Sequence, residues 1–208
     1  MGRYIGITDE PLCQEGRAAI LKGNYPKVHR VYASPMKRCL ETAALIYPEA
    51  DIRKIDLLRE CDFGSFENKN YLELSGNPDY QAWIDSNGQL PFPGGEDSLA
   101  FRRRCREGFR QVIGDMVCSI CHNTVRDVKG KWRETGEMPR EQYEAAVVVH
   151  GGTIMSILEA FGDPKEDFYH WQVKNGEGFG MLLDEELYGS AGQIRLYEIQ
   201  KLEGCLPE

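Results

Sequence analysis

The sequence predicts an α/β domain built on a mainly parallel sheet, and three observations carry that prediction. Short β-branched runs recur along the chain: "VHRVYASP" (28–35), "DIRKIDLL" (51–58), "AAVVVHGG" (145–152), "GFGMLLDEEL" (178–187) and "QIRLYEIQKL" (193–202). Helical stretches lie between most of them, and strands alternating with helices build parallel sheets covered on both faces. The last two runs are separated by only "LYGSAG", too short for a crossover, so they predict an antiparallel hairpin at one edge.

The elements follow in order. The opening "MGRYIGITDEPLCQEGR" reads as a loop with turn residues Gly2, Gly6, Asp9 and Pro11, running into a helix over 13–24. After the 28–35 strand comes a helix over 37–48, ended by Pro48. The 51–58 strand leads into an excursion over 61–96, rich in Gly and Pro, which we read as a lid over the site. Asp97 or Ser98 then caps the longest helix, which runs to about Asn123. On it Phe101, Cys105, Phe109, Val112, Ile113, Met116, Val117 and Ile120 recur at three- and four-residue spacing and form one apolar stripe. Residues 126–142 are polar, hold Gly130, Gly136 and Pro139, and predict a surface loop. The 145–152 strand passes into a helix over 153–162, closed by Gly162. No repeat or linker divides the chain, so residues 1–208 are expected to form a single domain.

Charge and composition narrow the function. A net charge of −8 argues against nucleic acid as a partner, because phosphate backbones demand a basic face. No apolar run reaches the roughly 18 residues that span a membrane, and no signal peptide is visible; a cytoplasmic protein is the expectation. Seven cysteines, at 13, 39, 61, 105, 118, 121 and 205, are then expected as free thiols rather than a disulfide framework. "CSICH" (118–122) matches the spacing of haem attachment, but Ile120 and Cys121 fall on or beside the helix stripe. We read it as core packing and expect no cofactor and no metal.

Ligands of open α/β sheets bind at the carboxyl ends of the strands. Three runs end there in residues with chemistry: Arg38 in the first turn after "VYASP", Glu60 just past "DIRKIDLL", and His150 at the tip of "AAVVVHGG". Taken singly, Arg38 reads as a surface ion-pair residue, Glu60 as a solvated carboxylate and His150 as a structural histidine. His150 is followed by Gly151 and Gly152, which let a ligand approach N–H groups at a helix start. A guanidinium, an imidazole and a carboxylate at three strand ends form a set that phosphoryl chemistry can use.

At these residues a family resemblance emerges. "RYIGITDEPLCQEG" (3–16), "VYASPMKRCLETA" (31–43), "LRECDFGSFEN" (58–68), "PGGEDS" (93–98) and "VVVHGGTI" (147–154) occur in the order of the histidine phosphatase superfamily, whose fold is phosphoglycerate-mutase-like. The chain is most similar to the α-ribazole phosphatase type of small bacterial phosphatase. The resemblance implies a three-layer sandwich and a pocket for a small phosphorylated substrate, or for phosphate or sulfate. Arg38 and Gly151 would bind phosphate, and His150 would contact the transferred group. Glu60 would be the general acid and base, and Glu96 would border the substrate. Phosphatase action on a small phosphomonoester is the implied activity; phosphoglycerate mutase and a non-catalytic phosphate-binding protein are the alternatives.

One departure stands out. The resemblance also implies a nucleophilic histidine in an Arg-His-Gly motif ending a central first strand. The four histidines here, His29, His122, His150 and His170, include none in that setting. The stretch matching 3–16 would follow that strand, so the strand is expected to be absent and residues 1–208 inactive. Either the protein lost the strand, at a cost that is large against a stability of about 5–15 kcal/mol, or Met1 is internal and the natural chain continues upstream. The second is our expectation. The sheet would then close with the final hairpin moved against the 145–152 strand, or with a strand from a second copy in a homodimer.

Overall fold

The computed structural model describes residues 2–28, 30–122, 124–126, 132–134 and 144–202. Helix α1 (Gln14–Lys22) precedes strand β1 (Arg30–Ala33), helix α2 (Lys37–Ile46) and strand β2 (Asp51–Lys54). After the excursion, which carries α3 (Pro78–Asp85), come α4 (Ser98–His122), β3 (Thr124–Arg126), β4 (Trp132–Glu134), β5 (Ala145–Val148) and α5 (Gly151–Phe161). Strand β6 (Gly178–Leu183), helix α6 (Glu185–Ala191) and strand β7 (Leu196–Leu202) close the series.

β1 is the centre of a parallel sheet of order β2-β1-β5. Arg30 stands opposite Asp51 on one side and Ala145 on the other, and Ala33 opposite Lys54 and Val148. Its side chains alternate between two cores, as a strand covered on both faces requires. Val31 and Ala33 bury against Ala43 of α2. Tyr32 points the other way, into a cluster with Phe109, Val112 and Ile113 of α4 and Ile157, Leu158 and Phe161 of α5. Helices therefore cover both faces of the sheet, giving three layers. A fully buried valine or leucine in such layers stabilises by about 1.5–3 kcal/mol.

The excursion has a small core of its own. Phe66, Leu74 and Phe92 bury with Cys61, and with Phe101 and Cys105 of α4; Tyr4, Phe63, Tyr80 and Trp83 pack around them. Tyr80 and Trp83 thus serve this core, while Tyr71 is exposed. Asn77 caps α3 by accepting from the N–H groups of Asp79 and Tyr80, with Pro78 in the first turn. Gly64 has φ +52°, and a Cβ there would lie 2.3 Å from the Pro93 carbonyl oxygen, so the fold admits only glycine.

Three expectations change. The β6–β7 connection is not a bare "LYGSAG" loop: Asp184 accepts from the Leu187 N–H and starts α6, which ends at Gly192 in the left-handed region. The hairpin is antiparallel as predicted, but it forms a separate sheet. It does not move against β5; it meets the rest of the fold where Leu196 bridges Gly162, at the end of α5. The predicted 126–142 loop also contains structure, since Thr124–Arg126 pairs antiparallel with Trp132–Glu134. The rest of that loop, the side chains of Ile120, Cys121 and His122, and His29 and Cys205 lie outside the described residues. Among the described residues Cys13, Cys39, Cys61, Cys105 and Cys118 are free thiols, no helix is long and apolar enough to cross a membrane, and no cluster of ligand residues could hold a metal ion.

Candidate active site

The parallel register puts the ends of β1, β2 and β5 side by side, and the chain leaves each of them through a residue that sequence singled out. Past β1, Ser34 takes its N–H to the Val148 carbonyl, and α2 begins two residues after Pro35. The Asp9 carboxylate caps that helix by accepting from the Lys37 N–H at 2.7 Å, so the opening loop helps set the direction of Arg38. Past β5, His150 is the N-cap of α5, followed by Gly151 and Gly152 in the first turn.

Arg38 and His150 meet. Arg38 Nε donates to His150 Nδ1 at 3.3 Å. A guanidinium has no acceptor, so Nδ1 carries no proton and the imidazole is neutral with its hydrogen on Nε2. That hydrogen is directed to Ser34 Oγ, 2.8 Å away. Burial and the charges of Arg38 and Arg104 keep the imidazole neutral, lowering its pKa from 6.5 to about 3. Cys39 packs beside the ring, Sγ 3.5 Å from Nε2, and burial pushes its thiol up to about 12; it stays a thiol, not a nucleophile.

The remaining Arg38 donors go to the opening loop. Nη1 donates to Thr8 O at 2.7 Å, and Nη2 to Gly6 O at 3.0 Å and Ile5 O at 3.4 Å. From its other side the same loop is held by Glu67, whose Oε1 accepts from the N–H groups of Gly6 at 2.8 Å and Thr8 at 2.9 Å.

Glu60 completes the group. It follows the Asp56–Leu58 3-10 turn that succeeds β2, and its Oε1 accepts from the Cys61 N–H at 2.9 Å. The Gly152 N–H also acts on it, favouring its charged form. A Cβ at Gly152 would lie 2.8 Å from Glu60 Oε1, so glycine is needed for the carboxyl to reach the α5 N-terminus. Burial raises the Glu60 pKa from 4.5 to about 7, against the Cys61 N–H, the Arg38 charge, the Gly152 N–H and the Arg104 charge, which pull it down. A carboxyl balanced there can both give and take a proton near neutrality.

Glu96 is placed differently. Its carboxylate is held bidentately by Arg104, at 2.9 Å to Nε and 2.7 Å to Nη2. Sequence reasoning passed over Arg104, Ser34 and Glu67. Arg104 carried a usable signal: within the "RRR" run it alone falls three residues after Phe101 and beside Cys105, on the inward stripe of α4. His170, at the end of a short 3-10 turn, sits 3.8 Å from Glu166 at the surface and takes no part.

A sequence model described as the histidine phosphatase superfamily, branch 1, matches residues 1–185. Among solved structures, a phosphoglycerate mutase of Thermus thermophilus is 25% identical with a TM-score of 0.59, over 97% of this chain and 90% of that one. The alpha-ribazole phosphatase of Shigella flexneri is 18% identical with a TM-score of 0.63, over 100% of this chain and 92% of that one, a likeness of fold. No sequence among the curated proteins matches the chain.

Proposed function

The chain belongs to the histidine phosphatase superfamily, and from that premise we propose that its pocket takes the phosphoryl group of a small phosphomonoester for hydrolysis. The observation that carries the reading is the convergence of Arg38, His150 and Glu60 at the ends of three parallel strands, with the Glu60 proton balanced near neutrality. Arg38 supplies a fixed cation for the phosphate oxygens. His150 would contact the transferred group once its Nε2 hydrogen leaves Ser34 Oγ, and the Gly151 N–H at the α5 N-terminus is an anion donor beside it. In the family's reaction a histidine displaces the ester oxygen from phosphorus; Glu60 would protonate that leaving oxygen and then take a proton from the water that frees phosphate from the phosphohistidine. α-Ribazole phosphate and sugar phosphates are the substrate class.

The family's route passes through a phosphohistidine, which divides one displacement into two. Its nucleophile stands in an Arg-His-Gly motif, and none of the four histidines of this sequence does. Residues 1–208 are therefore expected to bind inorganic phosphate without hydrolysing p-nitrophenyl phosphate. Calorimetry with phosphate and a release assay test this together. Binding lost in Arg38→Met supports the pocket; absence of binding by the parent chain overturns it. Turnover abolished by His150→Ala would keep the phosphatase reading and overturn the expected inactivity of residues 1–208. The mutase alternative is favoured by the 25% identity to the Thermus thermophilus protein; phosphoglycerate isomerisation without phosphate release would replace hydrolysis by it.

A further inference from the structure

We propose that Arg104, anchored by Glu96, is the positioning residue for Glu60, holding the acid's backbone from both sides of the catalytic residue. The inference rests on Glu60 as the proton carrier of the reading above and concerns how its place is fixed.

After β2 the chain has no strand partner, and its carbonyl groups need donors from elsewhere. Arg104 provides them. Its Nη1 donates to Leu57 O at 2.8 Å and Arg59 O at 2.9 Å, and its Nη2 to Glu60 O at 3.4 Å. The other two donors hold Glu96, so all five N–H groups of the guanidinium are used. Glu96 ties the far side: its N–H donates to Asp62 O at 2.9 Å. Residues 57–60 are thus fixed by the Arg104 side chain, and residue 62 by the Glu96 backbone. Neighbouring Gly95 is so close to this turn that a Cβ there would lie 2.4 Å from Asp62 O.

The pair is well shielded, with side-chain exposures of 17% for Arg104 and 21% for Glu96. Such a fork matches a planar carboxylate in a way a lysine cannot. It also balances charge. Arg104 and Cys105 of α4, Arg38 and Cys39 of α2, Cys61 and the Gly152 N–H are the groups that act on Glu60, with His150 beside Arg38. Arg104 pulls the Glu60 proton off, and Glu96 neutralises part of that pull.

The test is a carbon-13 NMR titration of the glutamate carboxyls of the full chain, with the Glu60 signal assigned by its loss in Glu60→Gln. The expected midpoint rises by about one pH unit in Arg104→Gln, where an attracting charge is removed. It falls in Glu96→Gln, where Arg104 keeps its charge without its partner. A merely structural pair would not move the midpoint in opposite directions. Unchanged midpoints, or two shifts of the same sign, overturn the proposal. If Arg104→Gln does not fold, the sign of the Glu96→Gln shift decides it. Should no glutamate that vanishes in Glu60→Gln titrate near neutrality, the proton-carrier reading itself falls. A neutral midpoint that ignores positions 96 and 104 removes only the positioning role.

Discussion

The two sides of the pocket respond to burial in opposite senses. At the end of β5, burial beside Arg38 and Arg104 takes His150 from 6.5 down to about 3; past β2, burial takes Glu60 from 4.5 up to about 7. Both groups are thereby neutral over much of the acid-to-neutral range, and the permanent charge of the pocket belongs to the arginines. The difference shows how one desolvated cavity can hold a fixed cation for a phosphate and still keep a mobile proton beside it.

The contrast has a thermodynamic consequence. A histidine whose folded pKa is depressed contributes stability that is present above its unfolded value and is lost as pH falls toward the folded one. A carboxyl whose folded pKa is raised contributes stability that is present below its unfolded value and is lost as pH rises through the folded one. Between pH 4.5 and 6.5 the folded chain holds one proton more at Glu60 and one fewer at His150 than the unfolded chain. The two slopes cancel there.

The largest expected effect breaks the histidine side. Between pH 6.5 and 3 the parent should lose up to about 4 kcal/mol that His150→Gln does not lose, read as the difference of their urea-unfolding free energies across pH. A constant difference over that range would mean that His150 is charged in the folded protein, and the tautomer assigned from Arg38 would be wrong. Next comes Glu60→Gln, which keeps the shape of the protonated carboxyl. Its stability should match the parent near pH 4 and exceed it by up to about 3 kcal/mol above pH 7. In the window from 4.5 to 6.5 each variant should uncover the other group's slope, about 1.4 kcal/mol per pH unit and of opposite sign. Parallel curves for the two variants would remove the contrast altogether.

How far the sequence disclosed this site depends on which residues are considered. Arg38, Glu60 and His150 were legible because each ends or follows a β-branched run, and the parallel register brings those ends together without help from distant contacts. The central sheet and α4 were legible by the same periodicity. The Arg104 fork on the Glu96 carboxylate was not legible; the stretch between them crosses a cap and the first turns of a helix, where spacing alone does not show which charges face inward. Helix α6 was missed because its start depends on the Asp184 side chain bonding to a backbone N–H, in a stretch that also reads as the end of a strand. The Glu67 clamp on the opening loop joins residues about 60 apart in sequence, and no local pattern reports such a contact.

That clamp supplies the smallest and most discriminating prediction. Arg38 cannot give the same N–H groups both to Ile5, Gly6 and Thr8 and to a phosphate, so ligand binding competes with the loop. Glu67 stabilises the competing arrangement through two hydrogen bonds to its charged carboxylate. Glu67→Gln should weaken that arrangement by about 1 kcal/mol, which releases Arg38 more often and tightens phosphate binding about fivefold. Calorimetric titration of both proteins with inorganic phosphate reads the change. Weaker binding in Glu67→Gln would mean that the loop forms part of the bound state, its N–H groups and Arg38 holding the ligand together. In that case the histidine side would be assembled from the opening loop as much as from the strand ends.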